Sequence, residues 1–150
     1  MPWYVKFDDL YGSSTAHLHL GWCNAANVQM ASRERVGGGA GVGARGGRFT
    51  LDDVSIGILS DKTAPRLLEA AVKGKVFKKV EIHGTAKSGE NEWTYVEIEL
   101  TEALITSYQL GVLDNSPSTD DILLSLSFDK YKVVYRENPK SGTPPYAESR

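Results

Sequence analysis

The feature that most constrains this chain is a two-residue hydrophobic period that recurs along most of its length. Val80 and Ile82 alternate with Glu81 and His83, and Val96, Ile98 and Leu100 alternate with Glu97, Glu99 and Thr101. Ile122, Leu124, Leu126 and Phe128 oppose Leu123, Ser125, Ser127 and Asp129, and Tyr131, Val133 and Tyr135 continue in the other phase. Successive side chains of a strand point to opposite faces, so this pattern predicts antiparallel strands with one face buried. Trp3 to Phe7 reads as a short strand. Phe49 to Leu59 reads as another, with Val54, Ile56 and Ile58 inward and a phase break at Asp52-Asp53 that predicts a bulge. The turn-rich Lys87-Ser88-Gly89-Glu90-Asn91 predicts a hairpin with a loop of about five residues.

The 3.6-residue period appears once. Polar residues from Ser60 to Thr63 precede Ala64-Pro65, and proline is tolerated in a first helical turn. Leu67, Leu68, Ala71 and Val72 then fall on one face, and Lys73-Gly74-Lys75 supplies a C-terminal glycine between cations. One amphipathic helix is predicted near 64–73, in a mainly-β barrel or sandwich. At 150 residues the chain has the length of one domain, 1–150, and enough surface to bury for a full core. Two segments carry no period. Arg33 to Arg48 holds seven of the fifteen glycines and four arginines, and is predicted as an extended loop over 33–48. Residues 138–150 read as an irregular, proline-containing tail.

Composition excludes several classes. A net charge of −2 offers no general attraction to nucleic acid or anionic lipid. With Cys23 as the one cysteine, no intrachain disulfide is possible. No apolar run approaches the ~20 residues of a spanning helix, so membrane insertion is not expected. MPWYVKFDDLYG lacks the basic and apolar stretches of a secretory signal, which predicts a cytoplasmic origin and, for any export, another route. The lysines at 73, 75, 78 and 79 read as helix-dipole compensation and a solvated face, without the aromatic pattern of a nucleic-acid binder.

The candidate chemical motifs are weak on their own terms. Gly41-Val42-Gly43-Ala44-Arg45-Gly46 matches G-x-G-x-x-G, but a phosphate-binding loop needs a strand before it and a helix after it, and Phe49-Thr50-Leu51 begins a strand. His17, His19 and Cys23 have the right atoms for zinc and would share a face if 17–23 were a strand, yet they lack the paired spacing of structural sites. The simpler reading is an edge-strand histidine pair and a buried thiol. G-x-S-x-G and G-x-x-x-x-G-K-[ST] are both absent, and the acidic pairs Asp8-Asp9, Asp52-Asp53 and Asp120-Asp121 read as turns. No catalytic residue and no cofactor is expected.

Ordered motifs carry a resemblance. Tyr4-Val5-Lys6-Phe7-Asp8 resembles the first strand of the Hcp family, the tube protein of type VI secretion systems. His19-Leu20-Gly21-Trp22 resembles that family's H-x-G-W, and Asp61-Lys62-Thr63-Ala64-Pro65-Arg66-Leu67 its D-x-[AS]-[ST]-P-x-L helix start. Ile105-Thr106-Ser107-Tyr108 with Gly111, and Leu124 to Lys130, are similar to its late strands, and Asn138-Pro139-Lys140-Ser141-Gly142 to the following turn. Three departures accompany the match. Met30-Ala31 stands where the family has Trp-Gly, the stretch from Gly12 to Trp22 is short, and the family's terminal G-W-D strand has no counterpart after Tyr146.

The resemblance implies an antiparallel β-barrel of two sheets with one flanking helix. It further implies homohexameric rings stacked into a tube, a contractile sheath and a spike as partners, and small effectors carried in the lumen. Secretion would proceed from the cytoplasm by the type VI route, without enzymatic activity. Gln29 is expected to face the lumen and touch effectors, with Val28 and Met30 packed into the wall. Gly38, Gly39, Gly41, Gly43, Arg45 and Arg48 are expected to contact a stacked ring, with Arg45 and Arg48 reaching Asp52 or Asp53. A phage-type tail-tube protein is an alternative on the same architecture, and a zinc-binding module or hydrolase using His17, His19 and Cys23 is one from a different class.

Overall fold

The computed structural model describes residues 2–35, 48–51, 53–89, 91–112, 120–137 and 147–149. Among these residues ten strands and one α-helix follow in the order β1 (Trp3–Phe7), β2 (Cys23–Gln29), β3 (Ser32–Arg35), β4 (Arg48–Leu51), β5 (Val54–Leu59), α1 (Ala64–Lys73), β6 (Val76–Ser88), β7 (Asn91–Val112), β8 (Asp120–Ser127), β9 (Lys130–Tyr135) and β10 (Ala147–Ser149). Every pairing is antiparallel. The main sheet runs β10-β9-β7-β6-β1-β2-β5-β8, and a further pairing of β7 with β8 closes β7, β6, β1, β2, β5 and β8 into a six-stranded barrel. Closure removes the edges that an open sheet would leave unpaired.

The long strand β7 makes that closure possible by changing partners. Val96 to Thr101 pairs with β9, whereas Leu104 to Val112 pairs with β8. Glu102 sits between the two halves at φ 55°, where the β6–β7 register passes from Phe77↔Ala103 to Lys79↔Thr101 and leaves Lys78 and Glu102 unmatched. The left-handed Glu102 turns the strand without changing its register to β6, so the hairpin partner of β6 can serve two layers.

The alternating apolar residues fill the barrel. Val5, Phe7, Val54, Ile56, Ile58, Val80, Ile82, Leu100, Ile122, Leu124 and Leu126 are fully buried, and Phe7 meets Phe77 with ring centroids 5.4 Å apart. Helix α1 covers one side through Leu67 and Ala70, and the Tyr108 hydroxyl donates to the Ala64 carbonyl at 3.1 Å. The helix begins where its sequence predicts. Asp61 Oδ1 accepts from the Thr63 amide at 2.8 Å and from the Thr63 hydroxyl, and Pro65 lies in the first turn. It ends at Gly74 in the left-handed region (φ 65°), with the Lys75 amide donating to Ala70 at 2.9 Å.

Several sequence expectations are corrected. Leu68 and Val72 are exposed although they neighbour Leu67 and Ala71 on the helical wheel; a helix lying flat on the wall buries only the stripe that faces it. Phe49 to Leu59 is not one bulged strand. Arg48–Leu51 pairs with Ser32–Arg35 in a separate two-stranded ribbon, and Val54–Leu59 enters the barrel between β2 and β8. Both ends of the loop expected over 33–48 are therefore strands, and residues 36–47 lie outside the described residues, as does the G-x-G-x-x-G match. The β6–β7 hairpin is tighter than expected: Ser88 pairs with Asn91, leaving a two-residue connection with Gly89 at φ 62°. The tail expected to be irregular over 138–150 contains β10, whose residues 147–149 pair with Tyr135 to Val133. Finally, 17–23 is not a strand. His17–His19 forms a 3-10 turn, and β2 starts only at Cys23. The turn is held against the chain before it by Gly12 N–H to Gly21 (2.7 Å), Gly21 N–H to Ser14 (3.0 Å) and Ser14 N–H to Trp22 (2.9 Å). A Cβ on Gly12 would meet the Trp22 carbonyl oxygen at 2.5 Å, so this approach requires glycine.

Candidate assembly and lumen surfaces

The outward positions of the barrel divide into two faces of opposite character. On β1, β6, β7 and β9 the register places Lys6, Glu81, Glu99 and Lys132 in one row, and Tyr4, His83, Glu97 and Val134 in the next. Lys79 Nζ lies 3.0 Å from Glu81 and 3.6 Å from Glu99, and Arg136 lies 2.6 Å from Glu97. Between these chains runs a groove of about 280 Å³ whose floor includes Ile98 and the buried Val134. Apart from the buried Tyr4 and Val134, this face is a net of paired charges.

The face built by β2, β5, β8 and the second half of β7 carries none in its two central rows. One row is Gln29, Ser55, Ser125 and Ser107, and the next is Asn27, Gly57, Leu123 and Gln109. Gln29, Asn27, Ser107 and Gln109 are exposed, and Leu123 is the one large apolar residue among the eight. A bulge between Ala25 and Asn27 sets the phase of β2, so that Val28 packs against the core while Asn27 and Gln29 point out. Met30 packs against the core as well. At Gly57 a Cβ would lie 3.1 Å from the Asn27 amide, so glycine gives that side chain its place on the wall. Carboxylates stand on either side of these rows: Asp53 accepts from the Thr106 hydroxyl at 2.7 Å at one end, and Asp121 holds the register position between Leu59 and Gly111 at the other. Strands alone supply this surface, and its signal in the sequence is the neutral set Ser55, Gly57, Leu123 and Ser125 at alternate positions of β5 and β8, against Glu81, Glu97 and Glu99 in β6 and the first half of β7.

The residues considered for zinc do not meet. His17 is exposed, Cys23 is buried with its thiol 3.6 Å from the Thr63 hydroxyl, and His19 Nε2 lies 2.9 Å from His83 Nδ1. Among the described residues no group of three His, Cys, Asp or Glu is arranged to hold a metal ion. Burial pushes the Cys23 thiol up to about 12, with the charge of Asp61 adding to it and the Thr63 hydrogen bond opposing it. His19 is 2% exposed and stacks on Tyr4 at 4.5 Å, with the rings 6° from parallel. Trp22 meets it edge-on at 4.8 Å. Tyr4, His19 and Trp22 are thus one packed cluster, with Gly21 at φ 80° allowing the chain to turn back onto it. Of the residues expected at a stacked-ring contact, Gly38, Gly39, Gly41, Gly43 and Arg45 lie outside the described residues, while Arg48 is the first residue of β4, opposite Arg35.

The family described as "Type VI secretion system effector, Hcp" matches residues 4–135. The chain belongs to the Hcp family. It is a tube protein of type VI secretion, with the mainly-β Hcp fold. Solved Hcp structures share that fold at low sequence identity. A type VI secretion effector from Yersinia pestis is 18% identical, covering 98% of this chain and 96% of its own, with a TM-score of 0.77. Hcp1 from Salmonella typhimurium is 15% identical over 98% and 91%, with a TM-score of 0.79. A structure described only as a type six secretion system protein is 17% identical over 97% and 91%, with a TM-score of 0.82. No curated protein matches by sequence. The Hcp motifs have clear physical work in this chain: H-x-G-W builds the cluster over Tyr4, and the Asp61 run starts the helix while Asp61 Oδ2 also takes the Ser13 amide at 3.2 Å. No helix among the described residues is long and apolar enough to cross a membrane.

Proposed function

We propose that six copies of this chain close into a ring with the uncharged face turned to the lumen and the charged face away from it, and that the rings stack into the secretion tube. The observation that carries this reading is the division of the barrel wall into a face of Gln, Asn, Ser and Gly and a face of Lys and Glu. A lumen wall whose central rows hold no fixed charge does not bind charged cargo through ion pairs there, whereas the charged face suits contact with water or a charged partner. Gln29 then stands on the lumen wall, where small effectors would touch it. The ring needs heterologous contacts that close by rotation, and open strand edges are natural sites for them. The outer edge of β10 and the β3–β4 ribbon are the edges available among the described residues. The sheath and spike are the expected outer and terminal partners, the role is structural without catalysis, and export follows from the cytoplasm by the type VI route. The whole of 1–150 acts as one domain in this reading.

Light scattering on the size-exclusion peak tests ring closure. A mass six times that of the chain is expected at micromolar concentration, and a monodisperse monomer at high micromolar concentration would count against the ring. The contact between rings is assigned to the glycine-rich segment with Gly38, Gly39, Gly41, Gly43, Arg45 and Arg48. Deleting Gly38 through Gly43 is expected to leave folding and ring mass intact and to abolish tube formation. Tubes formed by the shortened protein in electron micrographs would remove that assignment.

A further inference from the structure

We infer that the His19–His83 contact is an acid-release latch that fastens the 11–22 segment to the barrel only while the pair carries at most one extra proton. The geometry leaves room for one proton between the rings. His19 Nε2 and His83 Nδ1 are 2.9 Å apart, so one donates and the other accepts. His83 has carboxylates beside it, with Glu81 Oε2 4.0 Å from its other ring nitrogen and Glu97 opposite it in the register. A first proton on His83 therefore keeps the contact, with Nδ1–H donating to His19. A second proton must go to His19 Nε2, and two N–H groups then face each other inside a cluster closed by Tyr4 and Trp22.

The surroundings do not relieve that second charge. Glu81 is held by Lys79 and Glu97 by Arg136. Lys6 and Lys132 flank Glu81 and Glu99 across the same sheet. Glu92 and Glu97 act on His19 from a distance, Tyr4 is neutral in this range, and His17 on the same turn is exposed. Burial and the neighbouring histidine push His19 down to about 4; burial lowers His83 too, against the pull of Glu97 and Glu81. The remaining ties of the segment to the barrel are few. The most direct is the Ser13 amide on Asp61. Release would free a segment that already presents Tyr11, Leu18 and Leu20 to solvent, at 70%, 55% and 73% exposure.

Hydrogen exchange on the full-length protein, corrected for the intrinsic pH dependence and read from pH 7.5 to 4, tests the latch. The amides of Gly12, Ser14, Gly21 and Trp22 are expected to lose protection in acid before those of Val80, Ile82 and Leu100. In His83→Gln the neutral amide carbonyl can accept from protonated His19, so the loss should move to lower pH, while Asp61→Asn should leave its pH unchanged. NMR titration of the wild-type rings gives a readout without substitution: His83 should titrate first, and His19 together with the amide release. Protection lost in all strands at once, a transition that moves in Asp61→Asn and not in His83→Gln, or a His19 ring that titrates without amide release would each overturn the proposal.

Discussion

His19 and Cys23 sit four residues apart, and burial acts on them in opposite directions along the pKa scale because the charged forms differ. A buried thiol resists losing its proton, whereas a buried imidazole resists gaining one. Cys23, 1% exposed and pushed up to about 12, is expected to be inert. A thiol reagent at neutral pH should label less than a tenth of the native protein in the time that fully labels the protein in guanidinium; rapid native labelling would contradict the buried placement. For His19 the folded-state pKa lies below the unfolded value of 6.5, so the unfolded chain binds the extra proton more readily. Stability is thus complete above about pH 6.5 and declines as the pH falls toward 4, by on the order of 3 kcal/mol from this residue. Urea unfolding at pH 7.5 and 5.0 measures it, and His19→Gln should flatten the difference. The motif His19-Leu20-Gly21-Trp22 was legible as a resemblance, but the His83 partner of His19 was not, because contacts across 64 residues leave no periodic trace.

Among the elements, the helix was the most legible and its burial the least. Capping chemistry, proline and the terminal glycine are local, so the limits of 64–73 follow from the chain itself. Which apolar residues face inward depends on the wall it lies on, and Leu68 and Val72 lost that choice to Leu67 and Ala70. Asp61 ties the helix start to Thr63 and to the Ser13 amide of the 11–22 segment. Asp61→Ala should cost about 1–2 kcal/mol, somewhat more than a cap serving a helix alone, and Asp61→Asn less. Thermal unfolding of the two variants checks the order. Strand assignments met a similar limit. Alternation identified β8, whose Ile122, Leu124 and Leu126 are all buried, but it could not show that Phe49 to Leu59 serves two sheets. Nor did it show that Val134, out of phase with Tyr131 and Val133, is the most buried residue of β9.

For the whole molecule, the decisive property is the contrast between the two outward faces. If the uncharged face lines a lumen, Gln29→Arg places six like charges around one ring. Folding and ring mass should survive, since Gln29 is exposed and touches no core, while the protection of a co-expressed cognate effector falls. Circular dichroism with light scattering reads the first, and effector abundance in cell extracts the second. Unchanged effector abundance would place cargo elsewhere.

The sequence by itself determined that the chain is mainly β with one helix, where that helix begins and ends, which residues of β5, β6 and β8 are core, and the Hcp motifs in their order. These are consequences of short-range chemistry and of the two-residue strand period. Tertiary structure alone decided that β7 changes partners at Glu102 to close the barrel, that Arg48–Leu51 leaves the barrel for a ribbon, and that His19 finds His83. It also decided which outward positions share a face, since strand order, unlike strand phase, is fixed by pairings between residues far apart in the chain.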